Sequence, residues 1–285
     1  MDQPPFAPLF GHARSFNGDG IKPTAAPSRK TLPVRGRFRQ RMAQAMIPLA
    51  IAAQPDNQAV WQQPACCLSL AFVCRTNPLA DMTIHLHQGD LPEGFDPGPS
   101  LAIDTETLGL NPHRDRLCVI QLSRGDGTAD VVQIAKGSAP PPVLCRILAD
   151  PAVLKIFHYA RFDVAVLLHS FGVVTSPVYC TKIASRLVRT YTDRHGLKDL
   201  SRELLGVDMS KQQQSSDWGA AELTREQLAY AASDVLHLHQ LKAKLDTLLL
   251  RENRMEMAEA CFRFLPTRAA LDLQGWPEID IFAHS

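Results

Sequence analysis

The sequence has no apolar run long enough to cross a membrane: its longest, residues 46–53 and 66–74, fall far short of the ~20 residues a spanning helix requires. No membrane partner is expected. No continuous apolar segment follows the initial Met either, so nothing there reads as a secretory signal. Cysteine is sparse, with seven residues, an odd number, and no Cys-x-x-Cys pair. Neither a disulfide framework nor a zinc site is spaced out, which leads to the expectation of a reducing, cytoplasmic setting. A strong net charge is also missing, the formal value being +1.

What charge there is lies unevenly. Residues 1–81 hold nine Lys and Arg against four Asp and no Glu, which leaves the remainder net negative. A body of that sign does not attract nucleic acid as a whole, so a polyanion would have to be held locally or through metal ions. At 285 residues and 45% hydrophobic content, the chain suffices for one large domain or two small ones. Prolines from Pro4 to Pro78 interrupt every candidate helix in residues 1–81, and this stretch is expected to be a disordered N-terminal extension. Its basic cluster at 35–41 is open to three readings: a nucleic-acid-binding arm, a targeting peptide or, most simply, a solvated tail. Translation from an upstream start codon is a further reading of 1–81, with Met82 opening the domain proper, 82–285.

From Met82 the pattern becomes regular. Residues 83–87 alternate like a short edge strand, and the apolar residues from Leu101 suit a buried one. Strands over 117–122 and 129–134 pair antiparallel across the turn-rich Arg124-Gly125-Asp126-Gly127. A helix over 140–149, a buried strand over 153–157 and a helix with Val164, Leu167, Leu168 and Phe171 on its apolar side follow. The second half reads as helices over 181–188 and 197–205, one beginning at Thr224 with a Thr224/Gln227 capping box, and one over 252–270. The tail at 276–284, which keeps Trp276, Ile279, Ile281 and Phe282, is expected to be ordered against the body. Strands alternating with helices, then helices alone, give an α/β fold with a helical C-terminal half.

The first buried strand ends in two acids, Asp104 and Glu106, one residue apart. In an extended segment side chains at i and i+2 share a face, so the two carboxylates project together. Held that close they repel, and hard oxygen ligands of this kind suit Mg²⁺ or Mn²⁺. A solvated strand end would also carry such a pair; matching acids further along change the reading. Asp163 follows a later strand, and Asp234 lies on a late helix with Tyr230 four residues earlier on the same face.

Asp104, Glu106, Asp163, Tyr230 and Asp234 in this order resemble the DEDD superfamily of 3′–5′ exonucleases, in the subgroup with a tyrosine before the last acid. Three segments look like bacterial ribonuclease D: His158-x-x-Arg161-x-Asp163, the loop Lys211…Gln214-x-Ser216-Asp217-Trp218, and the helix Leu223-Thr224-x-x-Gln227-Leu228-x-Tyr230-Ala231-x-x-Asp234. The resemblance runs from about Met82 to the C-terminus and carries all three exonuclease motifs. Two departures stand out. Some fifty residues follow Asp234, too few for the helical nucleic-acid-binding domains of the longer enzymes, and Ala221-Glu222-Leu223 stands where the family often has Arg-Pro-Leu.

The resemblance implies a ribonuclease H-like mixed β-sheet flanked by helices, and a two-metal hydrolase taking Mg²⁺ or Mn²⁺. Asp104 would bridge the two ions, Glu106 and Asp234 would complete the site beside the nucleophilic water, Asp163 would support the second ion, and Tyr230 would orient the water. Thr107, Leu108, His158, Arg161, Phe162, Lys198 and Lys211 are the implied substrate-binding residues, with a scaffold role also open for His158 and Arg161. The implied partner is the 3′ end of single-stranded RNA, such as a tRNA precursor, cleaved to nucleoside 5′-monophosphates in RNA maturation or turnover. Nothing in the motifs reads a 2′-hydroxyl, so single-stranded DNA stays open as substrate. An inactive RNA-binding module is the reading from another class, and the intact acids speak against it. The oligomeric state is not readable.

Overall fold

The structure, a computed structural model, describes residues 83–210, 212, 213 and 215–284. The expectation of a disordered 1–81 extension therefore lies outside the described residues, as does the assignment of Lys211.

Six strands form one mixed sheet in the order β1-β4-β3-β2-β5-β6. They are β1 (Thr83–Gln88), β2 (Ser100–Thr107), β3 (Leu117–Ser123), β4 (Thr128–Gln133), β5 (Leu154–Phe157) and β6 (Val178–Cys180). β2, β3 and β4 run antiparallel in sequence, while β1 joins β4, β5 joins β2 and β6 joins β5 in parallel. The hairpin turn and the edge position of β1 are as the alternation and the Gly-rich turn predict. All seven residues of β3 are buried, which requires cover on both faces of the sheet. The three-residue β6 has no sequence signal of its own, being too short to show a period.

The helices are α1 (Pro142–Ala149), α2 (Ala160–Phe171), α3 (Thr181–Val188), α4 (Leu197–Leu205), α5 (Arg225–Leu236), α6 (Leu238–Arg251) and α7 (Met255–Leu273). Pro142 opens α1, where its missing N–H costs nothing. Gly172 and Gly206 close α2 and α4 in the left-handed conformation, with φ of 69° and 72°. The main core joins the inner strands to α1–α3, α6 and α7, while Cys118, Val119, Val131, Trp218 and Ala231 form a smaller second core against α5.

The C-terminal tail lies against the body as expected, although its apolar side chains are largely exposed. Trp276, Ile279, Ile281 and Phe282 are 40%, 55%, 44% and 72% exposed. The tail is instead held by its backbone: the Arg268 guanidinium donates to the carbonyls of Trp276 and Pro277, and Arg161 donates to that of Pro277. The polar latch acts beside one apolar contact, the Phe282 ring 5.9 Å from that of Phe264 between centroids.

Candidate active site

β2 runs buried to Ile103 and then presents Asp104 and Glu106, both half-buried. The β2–β3 register shifts between Glu106 and Thr107, and such an irregularity turns a strand away from its partner and re-aims its side chains. The loop that follows is tightly held. Asp115 accepts from the Asn111 backbone N–H at 3.0 Å and from Arg114 at 2.7 Å, and Arg114 keeps its carboxyl down at about 2. A Cβ on Gly109 would come within 2.3 Å of Asp115 Oδ2, so the loop requires glycine there.

α5 supplies the other half of the site. The Gln227 backbone N–H donates to Thr224 Oγ1 at 3.2 Å, and the Thr224 N–H donates to Gln227 Oε1 at 2.9 Å, closing the capping box read from the sequence. Gln227 Nε2 also donates to the Asp217 carbonyl, which ties the Asp217-Trp218 loop to this helix. Tyr230 and Asp234 then follow one turn apart. One carboxylate oxygen from each of Asp104, Glu106 and Asp234 lies within 4.8 Å of the other two.

The fourth acid stands beside this trio. Asp163, in the first turn of α2, is 3% exposed and accepts a 2.7 Å hydrogen bond from Thr105, the residue between the two strand acids. Before it Tyr159 takes the left-handed conformation (φ 69°), rare for a bulky residue and a mark of local strain.

Burial is the main cause of the carboxylates' shifted titration. It raises Asp104 to about 7, against the hydrogen bonds from the Thr105 backbone and from Gln121 Nε2 at 2.6 Å. Glu106 is pushed up to about 10 by burial and then by Asp104, Asp234 and Asp163. Burial and the charge of Asp104 raise Asp163 and Asp234 well above the carboxylate range. Hard oxygen donors that destabilise one another in this way fit divalent cations, whose charge would relieve both burial and repulsion. Burial also raises the Tyr230 hydroxyl, so it stays protonated.

Asp104, Glu106 and Asp234 open into a cavity of about 700 Å³, whereas Asp163 is not among its lining residues. Of the expected substrate residues, Thr107, Leu108, His158, Phe162 and Lys198 line it. The Thr107 hydroxyl is already used, donating to the Gly109 carbonyl at 2.5 Å. His158 shares a 2.9 Å hydrogen bond with Thr181, and burial lowers it to about 3, so it lines the wall as a neutral ring. Arg161 is not among the lining residues; its guanidinium is committed to Asp272 at 2.6 and 2.9 Å. Tyr159 and Lys182 line the cavity without having been marked by the sequence, with the Lys182 ammonium 4.1 Å from the Tyr159 ring centroid. Gln121 and Thr105, which hold two of the acids, also went unmarked. An inward-facing strand position was the only available signal.

Residues 90–250 match the family model described as 3′–5′ exonuclease. The chain is 35% identical over 158 residues to ribonuclease D of Acidiphilium cryptum, an alignment covering 55% of this chain and 40% of that protein. It thus spans about two fifths of the length of the curated relatives it matches. Among solved structures, Brucella melitensis NrnC with bound Mg²⁺ is 60% identical, with a TM-score of 0.69, covering 72% of this chain and 100% of that one. The same protein has been solved bound to pGG. Escherichia coli RNase D, an exoribonuclease involved in structured RNA processing, is 27% identical with a TM-score of 0.54, covering 63% of this chain and 48% of that one.

Proposed function

We propose, from the premise that this chain belongs to the 3′–5′ exonuclease family, that it is an exoribonuclease removing nucleoside 5′-monophosphates from single-stranded RNA 3′ ends. The observation that carries the reading is the convergence of Asp104, Glu106 and Asp234 on one cavity, with Tyr230 beside them. Brucella NrnC was solved with Mg²⁺, and the acids here are assigned the same class of ligand, two Mg²⁺ or Mn²⁺ ions held by Asp104, Glu106, Asp163 and Asp234. When bound, such ions supply positive charge to the attacking water and to the departing 3′ oxygen.

The chain's own residues do the rest. Tyr230 keeps its proton and orients the attacking water through the hydroxyl, so it acts by position and not as a base. Gln121 fixes the Asp104 carboxylate, and Thr105 fixes Asp163, so that the donors are set before substrate arrives. Lys198 and Lys182, on α4 and α3, are the lysines at the cavity wall among the described residues and are assigned to the RNA backbone. The NrnC–pGG pairing makes a short 5′-phosphorylated RNA the natural first substrate to try, and tRNA precursors present a single-stranded end of the same kind.

The test is incubation of the purified full chain with 5′-labelled RNA and DNA of one sequence, with Mg²⁺ or Mn²⁺ and then with EDTA. Stepwise shortening of RNA that EDTA abolishes is expected; equal or faster shortening of DNA would move the assignment to a deoxyribonuclease. Tight RNA binding with no shortening under any metal would leave the binding-module reading.

A further inference from the structure

A second cleft, of about 590 Å³, adjoins the catalytic cavity, and the two share Leu110, Tyr159 and Phe162. Its far side comes from the end of α7 and the chain after it, through Asp272, Pro277 and Glu278. That segment is tied to both elements that bound the catalytic cavity. Arg161, in the first turn of α2, donates to the Asp272 carboxylate at 2.6 and 2.9 Å and to the Pro277 carbonyl at 2.5 Å. His113, in the loop after β2, has its Nε2 at 3.1 Å from the Leu273 carbonyl. Arg268 holds Asp272 from within α7 at 2.6 Å. Segment 272–278 therefore bridges the two walls and fixes the width of the cleft.

The chemistry of the lining selects what fits. Leu110, 85% exposed, offers an apolar surface beside the rings of Tyr159 and Phe162, a combination on which a flat heterocycle stacks. The carboxylates of Asp272 and Glu278 disfavour a phosphate, and the guanidinium of Arg161 is already paired. Asn111 and His113 supply polar groups for a ring edge. The acids of the catalytic cavity claim the scissile phosphate and the terminal nucleotide, which leaves the adjoining cleft for the neighbour.

We infer that the C-terminal segment 272–278 is part of the substrate site, closing a cleft for the nucleobase on the 5′ side of the scissile bond. Arg161 is then a positioning residue that acts through Asp272. This inference rests on the exonuclease reading above.

The experiment uses the full chain, Mg²⁺ and two short RNAs that differ only in an abasic ribose at the penultimate position. For the unsubstituted protein the abasic RNA should show a KM higher by ~10-fold or more, the scale of losing one stacked base. Asp272→Asn should collapse that ratio toward one, and Asp272→Glu, which keeps the carboxylate, should restore most of it. A ratio near one in the unsubstituted protein, or a full ratio in Asp272→Asn, overturns the inference. Kd values for the same RNAs, from fluorescence anisotropy with Ca²⁺ in place of Mg²⁺, give the ratio independently of turnover. Absence of cleavage with an intact Kd ratio would count against the exonuclease reading and support the cleft; equal Kd values would sink the cleft.

Discussion

Asp104 shows how the acids trade stability for chemistry. Burial makes its charged form costly, burial and three like neighbours do the same to Glu106, and the fold keeps them together nonetheless. An acid whose folded pKa lies above its unfolded one binds more protons when folded across that interval, so stability falls as pH rises through it. For Asp104 the interval runs from 3.8 to about 7, and for Glu106 from 4.5 to about 10. The Tm of the metal-free protein should therefore fall as pH rises from ~4.5 to ~7, and Mg²⁺ should raise Tm most at the upper end. Asp104→Asn should abolish turnover, flatten the pH slope and raise the metal-free Tm at neutral pH. Thermal melts with and without Mg²⁺ check this; a steeper slope in the variant would contradict it. Tyr230→Phe keeps the ring against Trp218, 6.0 Å away between centroids, and deletes only the hydroxyl. It should cost kcat ~10²-fold, as loss of one preorganised hydrogen bond does, with Mn²⁺ affinity retained. Single-turnover cleavage beside a Mn²⁺ titration separates the two, and loss of metal binding would mean that the hydroxyl supports Asp234.

At the scale of elements, α5 depends on its start. Its capping box satisfies two backbone donors at once and, through Gln227, anchors the Asp217-Trp218 loop. Thr224→Ala should cost ~1 kcal/mol of unfolding free energy, measured by urea denaturation, with a smaller effect on kcat than Tyr230→Phe. A loss below ~0.3 kcal/mol would show the cap to be redundant with the packing of Ala231 and Val235. This helix was legible beforehand because cap, period and acids are all local features of sequence. The hairpin and the helices α3 and α4 were legible for the same reason. What could not be read is non-local. β6 needs β5 beside it to be a strand at all. The resemblance implied a substrate or a scaffold role for Arg161, and the partner that favours the second, Asp272, lies 111 residues away. Lys182 and Tyr159 come together only when α3 docks beside the start of α2. The apolar tail residues gave the right placement but not the means, since hydrophobicity alone does not say that arginine side chains will hold the backbone of a segment.

For the whole molecule, the question is what residues 1–81 contribute to a body whose described residues form a six-stranded sheet from Thr83 onward. β1 opens there, pairs with β4 over six residues and is an edge strand of the sheet that the described residues form. Every candidate catalytic and metal-binding side chain lies beyond it, so we expect a chain beginning at Met82 to fold and to cleave RNA at the full-length rate. Charge makes the comparison more telling than a yes-or-no assay. Residues 1–81 carry an excess of Lys and Arg, whereas the rest is net negative, so any RNA contact by the basic cluster would appear in the salt dependence of binding. Each phosphate contact steepens the slope of log K against log [salt] by ~0.7 for a single strand. If 1–81 is a solvated tail, the full and shortened chains should show the same slope, set by local cations such as Lys182 and Lys198, and the same KM. A slope steeper in the full chain by two contacts or more would assign the 35–41 cluster to RNA. A shortened chain that fails to fold would refute the domain boundary at 82.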